Sequence, residues 1–218
     1  MIHVLHTRFE ERLNTRSYEQ HLRMLPPCLR DKIGRFQNWK DAQASLLGKL
    51  LLLRGLKIYD LDHLDLSDLA YSKFSRPYFG HGVDFNISHS GDVVVCAISM
   101  TGRVGVDIEA MRVVTPSDFE LFFDAAEMQR LAQADNVLDE FYTLWTKKEA
   151  VMKADGKGLS IPLKDVRLMG NGCAYIENYC WYLEPLDLYA GYKVHVAADF
   201  PIHDGITTGQ YAFEEVNL

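Results

Sequence analysis

Two carboxylates stand two residues apart in Val104-Gly105-Val106-Asp107-Ile108-Glu109. On a strand, residues i and i+2 share a face. Val106 and Ile108 then turn to one side and Asp107 and Glu109 to the other, with Cα atoms ~6.6 Å apart. Acids so placed can share one hard divalent cation. The same hexapeptide also reads as an ordinary amphipathic strand with a solvated acidic face. A second stretch sets Phe141, Trp145, Glu149 and Lys153 four apart on one helix stripe, with Lys148 and Met152 beside it. This carboxylate and ammonium can serve proton transfer and charge neutralisation, or form a plain Glu–Lys pair beside a buried tryptophan. In a third stretch, Phe85-Asn86-Ile87-Ser88-His89-Ser90-Gly91-Asp92, a histidine stands at a turn. There its ring and nearby amides can donate to phosphate oxygens. A surface histidine in a turn is the plainer alternative. Gly156-Lys157-Gly158 lacks the full phosphate-loop pattern and reads better as a helix stop.

These residues need strands and helices to bring them together. Leu46, Leu50 and Leu53 recur at helical spacing, predicting a helix over 41–59. Residues 84–88 and 93–99, joined by a turn containing Gly91, read as a β-hairpin, and 104–109 as a further strand. Thr115-Pro116-Ser117-Asp118 reads as a helix start, with a helix continuing to about 134. Another helix is predicted over 139–155, and strands over 166–213. Residues up to about 30 read as short strand and loop. Strands are grouped rather than alternating with helices, so the class is α+β. The chain divides near 103, into 1–103 and 104–218.

The 218 residues, 48% hydrophobic, suffice for a substantial core. A net charge of −7 argues against a nucleic-acid partner. No secretory signal and no apolar run of membrane-spanning length are present. Cys28, Cys96, Cys173 and Cys180 form no C-x-x-C pair and read as reduced thiols of a cytoplasmic protein.

Taken in order, Asn-Ile-Ser-His-Ser-Gly, Val-Gly-Val-Asp-Ile-Glu and Trp-Thr-Lys-Lys-Glu-Ala with Lys153 resemble the phosphopantetheinyl transferases. The length resembles the two-lobed, monomeric, surfactin-synthetase-activating type. The resemblance spans about residues 35–162. It implies two similar α+β subdomains related by a pseudo-twofold axis. Each would have a small antiparallel sheet on a long helix, with the active site between them. It also implies transfer of 4′-phosphopantetheine from coenzyme A to a serine of an apo acyl or peptidyl carrier protein. Magnesium, or manganese in its place, would be the metal.

By that resemblance Asp107, Glu109 and Glu149 are the metal carboxylates, and Glu149 is also the general base. Lys153 stabilises pyrophosphate charge and Lys148 assists. Ser88 and His89 contact a coenzyme A phosphate, with His89 on the 3′-phosphate. Ser75-Arg76-Pro77 stands where the family often has Gly-Lys-Pro, so Arg76 and Pro77 join the donor site, without the glycine. Ala44 stands where members often carry an arginine for the 3′-phosphate, so Lys32, Arg35, Lys40 or His89 compensates or the selectivity for that phosphate is weaker, and Lys32 is carried as the phosphate ligand. Lys32 also reads as a plain exposed lysine. Arg112 and Leu121-Phe122-Phe123 follow the metal strand. They read as a carrier-facing segment or, for the aromatics, as core.

Overall fold

The computed structural model describes residues 1–80, 82–170 and 172–213, without the side chain of Leu159. The chain opens with β1 (Ile2–Arg8), α1 (Thr15–Arg23), α2 (Pro27–Ile33) and α3 (Trp39–Ile58). A two-strand ribbon, β2 (Ala70–Tyr71) and β3 (Pro77–Tyr78), precedes β4 (Asp84–Ser90), β5 (Val93–Ser99) and β6 (Val104–Ala110). Then come α4 (Ala125–Gln133), α5 (Val137–Asp155), β7 (Arg167–Met169), β8 (Cys173–Ile176), β9 (Tyr179–Leu186), β10 (Tyr192–Ala198) and β11 (Ile206–Gln210).

Two sheets form, ordered β11-β1-β5-β4 and β6-β10-β9-β8-β7. The second is antiparallel throughout. The first corrects an expectation. Its β1–β5 and β5–β4 pairs are antiparallel, but β11 joins β1 in parallel. A parallel neighbour cannot come from a tight hairpin. Here it arrives from the far end of the chain.

The core has an α–β–β–α layering. Leu46, Leu50 and Leu51 of α3 pack with Phe85, Val94 and Ile98 on one face of the first sheet. Val93, Val95 and Ala97 on its other face meet Val106, Ile108, Val194 and Val196 of the second. Because β5 is covered on both sides, Val93–Ser99 is buried throughout, which explains its unbroken apolar run. Val151 and Ala154 of α5 then close the outer face of the second sheet against Trp181.

Two early helices escape an apolar-period reading. Helix α1 buries Ser17 and His21 and packs half-buried Tyr18 and Leu22, four residues apart, against the core, a single pair too short to stand out as a period. Its clearest sign is Asn14, whose side chain accepts from Ser17 N. The short α2 starts on Pro27 at the first helical position. The expected helix over 115–134 is two pieces. Pro116–Phe122 is a 3₁₀ segment, and Asp124 then opens α4 with a capping box shared with Glu127. Between them Phe123 is extended and buried, which breaks the helix. Among the described residues no helix is long and apolar enough to cross a membrane. All four cysteines are free.

Candidate active site

The two sheets meet where β4 lies along the edge of β6. Alternate residues of β4 point at β6, and each side chain accepts from one of its backbone amides. Val104 N donates to Asp84 Oδ2 (2.8 Å), Val106 N to Asn86 Oδ1 (3.1 Å), Ile108 N to Ser88 Oγ (3.4 Å) and Ala110 N to Ser90 Oγ (3.1 Å). An exposed strand edge leaves such donors unpaired. Here four polar side chains do the work of a neighbouring strand. The period-two polarity of Asp84-Phe85-Asn86-Ile87-Ser88-His89-Ser90 is its only sequence sign. It is the signature of any half-buried strand, so the ladder itself is not readable in advance.

Strand β6 presses Gly105 against α5. A Cβ at Gly105 would overlap the Ala150 carbonyl oxygen and the Ala154 amide nitrogen. This close approach brings the helix stripe over the strand's acidic face. Lys153 Nζ donates to Asp107 Oδ1 (2.5 Å) and to Ser88 Oγ (2.8 Å), and Ser88 Oγ donates to Asp107 Oδ1 (3.1 Å). Ser90 Oγ donates to Glu109 Oε2 (2.7 Å). Asp107 is 2% exposed, and its Oδ2 is buried with no hydrogen-bond partner.

Desolvation raises the pKa of Glu149. The Asp107 charge raises it further, Lys153 pulls it back, and Glu109 adds to the rise. Glu109 is likewise raised by desolvation, against the Ser90 hydrogen bond and with the Asp107 charge. The three carboxylates therefore feel one another across β6 and α5. Opposite Asp107 on β10 lies buried His195. Thr146 Oγ1 donates to the Tyr142 carbonyl (2.6 Å), so its lone pair is left to take Nδ1–H of His195 (2.7 Å). Desolvation pushes the His195 pKa down to about 3, so it brings no positive charge to the acids near neutrality.

Among the described residues, no three His, Cys, Asp or Glu side chains form a closed metal cage. The donors do fit an open site. A buried carboxylate oxygen lacks a partner, and two neighbouring acids are crowded by its charge. A hard cation that keeps water and takes few protein carboxylates suits this arrangement.

The other sequence-derived residues divide. Ser88 belongs to the cluster. His89, on the opposite face of β4, is exposed, yet desolvation by surrounding protein and then the Lys153 charge lower its pKa. Pro77 lines a cleft of about 250 Å³ with Ser75, Asn86, Glu149 and Lys153. Ser75 has φ +65°, so it adopts the left-handed conformation that a glycine would favour. Lys32 sits exposed on α2, with Nζ 5.8 Å from the Tyr71 ring centroid.

Two residues are not free for a ligand. Arg76 was expected at the donor phosphate. Its guanidinium instead makes a two-point pair with Asp84 (2.7 Å each) and donates to the Lys153 and Val104 carbonyls (3.1 Å each). It clamps the end of α5 to both sheets. Lys148, expected beside the pyrophosphate, is fully buried. Its Nζ pairs with Glu127 Oε2 (2.8 Å) and donates to the Leu163 and Val166 carbonyls (3.3 and 3.0 Å). One residue along a helix turns the side chain about 100°, so Lys148 faces α4 while Glu149 faces β6.

Comparison with known proteins identifies the family. Residues 103–197 match the 4′-phosphopantetheinyl transferase superfamily, and residues 13–101 match the 4′-phosphopantetheinyl transferase N-terminal family. The 4′-phosphopantetheinyl transferase Sfp of Bacillus subtilis (strain 168) is 34% identical over 204 residues, covering 87% of this chain and 90% of that protein. A 4′-phosphopantetheinyl transferase of Bacillus subtilis is 36% identical over 194 residues, covering 84% and 86%. The 4′-phosphopantetheinyl transferase gsp of Aneurinibacillus migulanus is 34% identical over 168 residues, covering 73% and 70%. The chain belongs to the 4′-phosphopantetheinyl transferase superfamily and is an enzyme of that activity.

Proposed function

We propose that the chain moves the 4′-phosphopantetheine arm of coenzyme A onto a serine hydroxyl of an apo acyl or peptidyl carrier protein, releasing adenosine 3′,5′-bisphosphate. The observation that carries this reading is the meeting of Asp107, Glu109 and Glu149 with Lys153 where the two sheets join. Asp107, Glu109 and Glu149 would hold magnesium, or manganese in its place, which supplies positive charge against the diphosphate.

The protein's own residues account for the rest. Glu149 takes the serine proton, directly or through one water. Its raised pKa makes it a stronger base than an ordinary glutamate. Lys153, held by Ser88 Oγ at 2.8 Å, keeps a positive charge where negative charge grows on the leaving group. Ser88 and His89 receive donor phosphate from the β4 side, and Pro77 lines the adjoining cleft. Leu121, 85% exposed, stays available to a carrier protein, whereas Phe123 is core.

The same reading treats the halves as related by a pseudo-twofold axis, supported by long α3 and α5 each packed on a sheet. It places the enzyme in the cytoplasm as a monomer. The test is incubation with coenzyme A, magnesium and a purified apo carrier protein. The carrier should gain the mass of one phosphopantetheine arm, with one equivalent of adenosine 3′,5′-bisphosphate. An unmodified carrier across acyl and peptidyl types would overturn the proposal.

A further inference from the structure

Strand β10 lies between β6 and β9 and faces α5 with Lys193, His195 and Ala197, alternate residues along it. Across the β6–β10 pairing, Ala197 stands opposite Gly105, His195 opposite Asp107 and Lys193 opposite Glu109. These three levels meet the helix differently. Gly105 leaves no room for a Cβ against the α5 backbone, and Ala197 packs in the cluster that holds Ala150 and Ala154. His195 reaches α5 through Nδ1–H, which Thr146 Oγ1 accepts at 2.7 Å. Lys193 reaches it through its long stem, with Nζ 2.7 Å from Asp139 Oδ1.

The reach grows from a methyl group to an imidazole to a lysine stem. Helix α5 therefore stands closest to the sheet at Gly105 and further off toward Glu109. Asp107 and Glu109 lie in this widening gap. Glu149, three residues after Thr146 and so on the neighbouring turn of α5, faces them from the helix side. His195 is 2% exposed and Thr146 fully buried. A buried polar pair is a costly filler, since apolar side chains of similar volume pack there without needing partners. What the pair adds is one fixed separation. A hydrogen bond has a narrow range of length and direction, whereas apolar surfaces can slide. The proposed transfer gives neither residue a step.

We infer that His195 is a positioning residue: bonded to Thr146, it props α5 off the sheet beside Asp107 and so sets the gap in which Glu149 faces Asp107 and Glu109 across a hydrated divalent ion. A gap closed to contact, as at Gly105, would leave no room for a cation and its waters. A looser helix would let Glu149 drift from the ion and from the serine proton. Thr146 is the anchor for His195 on α5. Gly105 and His195 then act in opposite senses, one letting the helix down and the other holding it up two residues along the strand pair. The inference rests on the transferase reading, since that reading supplies the ion and the proton.

The experiment compares H195L, H195N, T146V and the H195L/T146V double variant with the wild type. Leucine fills much of the imidazole's space without a donor. The asparagine amide nitrogen stands at the same place along the side chain as Nδ1 and can still donate to Thr146. H195L should lower kcat about 10- to 100-fold, the range for displacing a catalytic group by up to ~1 Å, with KM for coenzyme A little changed. T146V should do the same, and the double variant should lose no more than either alone, because both remove one bond. H195N should recover most of the loss. Manganese binding with coenzyme A present, followed by electron paramagnetic resonance, should weaken about tenfold or more in H195L and return in H195N. Melting curves establish that each variant is folded, and T146V, close in shape to the wild type, decides the point should H195L not fold. Unchanged kcat and manganese binding in H195L or T146V, additive losses in the double variant, or a folded H195N as impaired as H195L would overturn the inference. Should the wild type modify no carrier while manganese binding still falls in H195L and returns in H195N, the transferase reading alone would sink.

Discussion

Glu149 sits in a place that disfavours its charge. Desolvation and then Asp107 raise its folded-state pKa above that of an unfolded glutamate. The folded protein therefore holds that proton more tightly than the unfolded chain does. Above the folded pKa, ionised Glu149 lowers stability; well below the ordinary glutamate value both states are protonated and the effect vanishes. Glu149→Gln removes the penalty. Without added metal at pH 8, the variant should melt about 2–4 °C above the wild type, the shift that ~1 kcal/mol gives a chain of this size. The gain should disappear in acid, where both carboxyls are neutral. Transfer should fall by about 10²- to 10⁴-fold, the range for loss of a general base. A variant that melts lower at pH 8, or transfers normally, contradicts the assignment.

Its neighbour shows the limit of reading residues from spacing. The four-residue stripe made Glu149 and Lys153 legible as a pair, because helical geometry alone sets that relation. Nothing in the sequence linked Lys148 to Glu127, twenty-one residues earlier on another helix. Lys148→Met would strand Glu127 without its counter-charge in a buried site, at a cost of about 3–5 kcal/mol. Adding Glu127→Gln should recover most of that loss, since glutamine still accepts from Asp124 N and keeps the α4 cap. Urea unfolding of both variants measures it. If the double variant is stable yet inactive, Lys148 acts on substrate after all.

At the scale of elements, the proposed catalytic geometry depends on how closely β6 lies against α5. Strands β4 and β6 and helices α3 and α5 were readable because each carries a clear two- or four-residue period, and β5 from its apolar run after the Gly91 turn. Helix α1 offers only the single pair Tyr18 and Leu22, and the join between β4 and β6 depends on side chains meeting backbone across two sheets. Gly105 likewise looked like a residue between two valines. Gly105→Ala would drive a methyl group into the Ala150 carbonyl and Ala154 amide. Helix α5 must then move away, carrying Glu149 and Lys153 from Asp107. Overpacking of this kind costs about 1–3 kcal/mol. The loss of transfer should exceed what that destabilisation explains, with kcat falling while the variant remains folded by circular dichroism. Full activity in a folded Gly105→Ala protein would mean the strand and helix need not approach so closely.

Across the whole molecule, the two halves are tied by more than the β4–β6 ladder. Strand β11 returns from the second half to pair with β1 over Ile2–His6, and Tyr211 N then donates to the His6 carbonyl (2.9 Å). The division expected at residue 103 follows the sequence order, but the first sheet draws its outer strand from beyond residue 200. A chain ending at Pro201 would leave β1 as an open edge, with Ile2 and Val4 still committed to the core between the sheets. At about 1 kcal/mol per lost backbone bond, a ladder of five residue pairs is worth several kcal/mol. The truncated chain should melt roughly 10 °C lower or more, or pair edge to edge and aggregate. Strand β1 lies beside β5, and β5 beside β4, which holds Ser88 and His89, so transfer should fall along with melting temperature. Differential scanning calorimetry and a transfer assay on the same preparation decide it. Unchanged melting and transfer would show that the first sheet is complete without its returning strand.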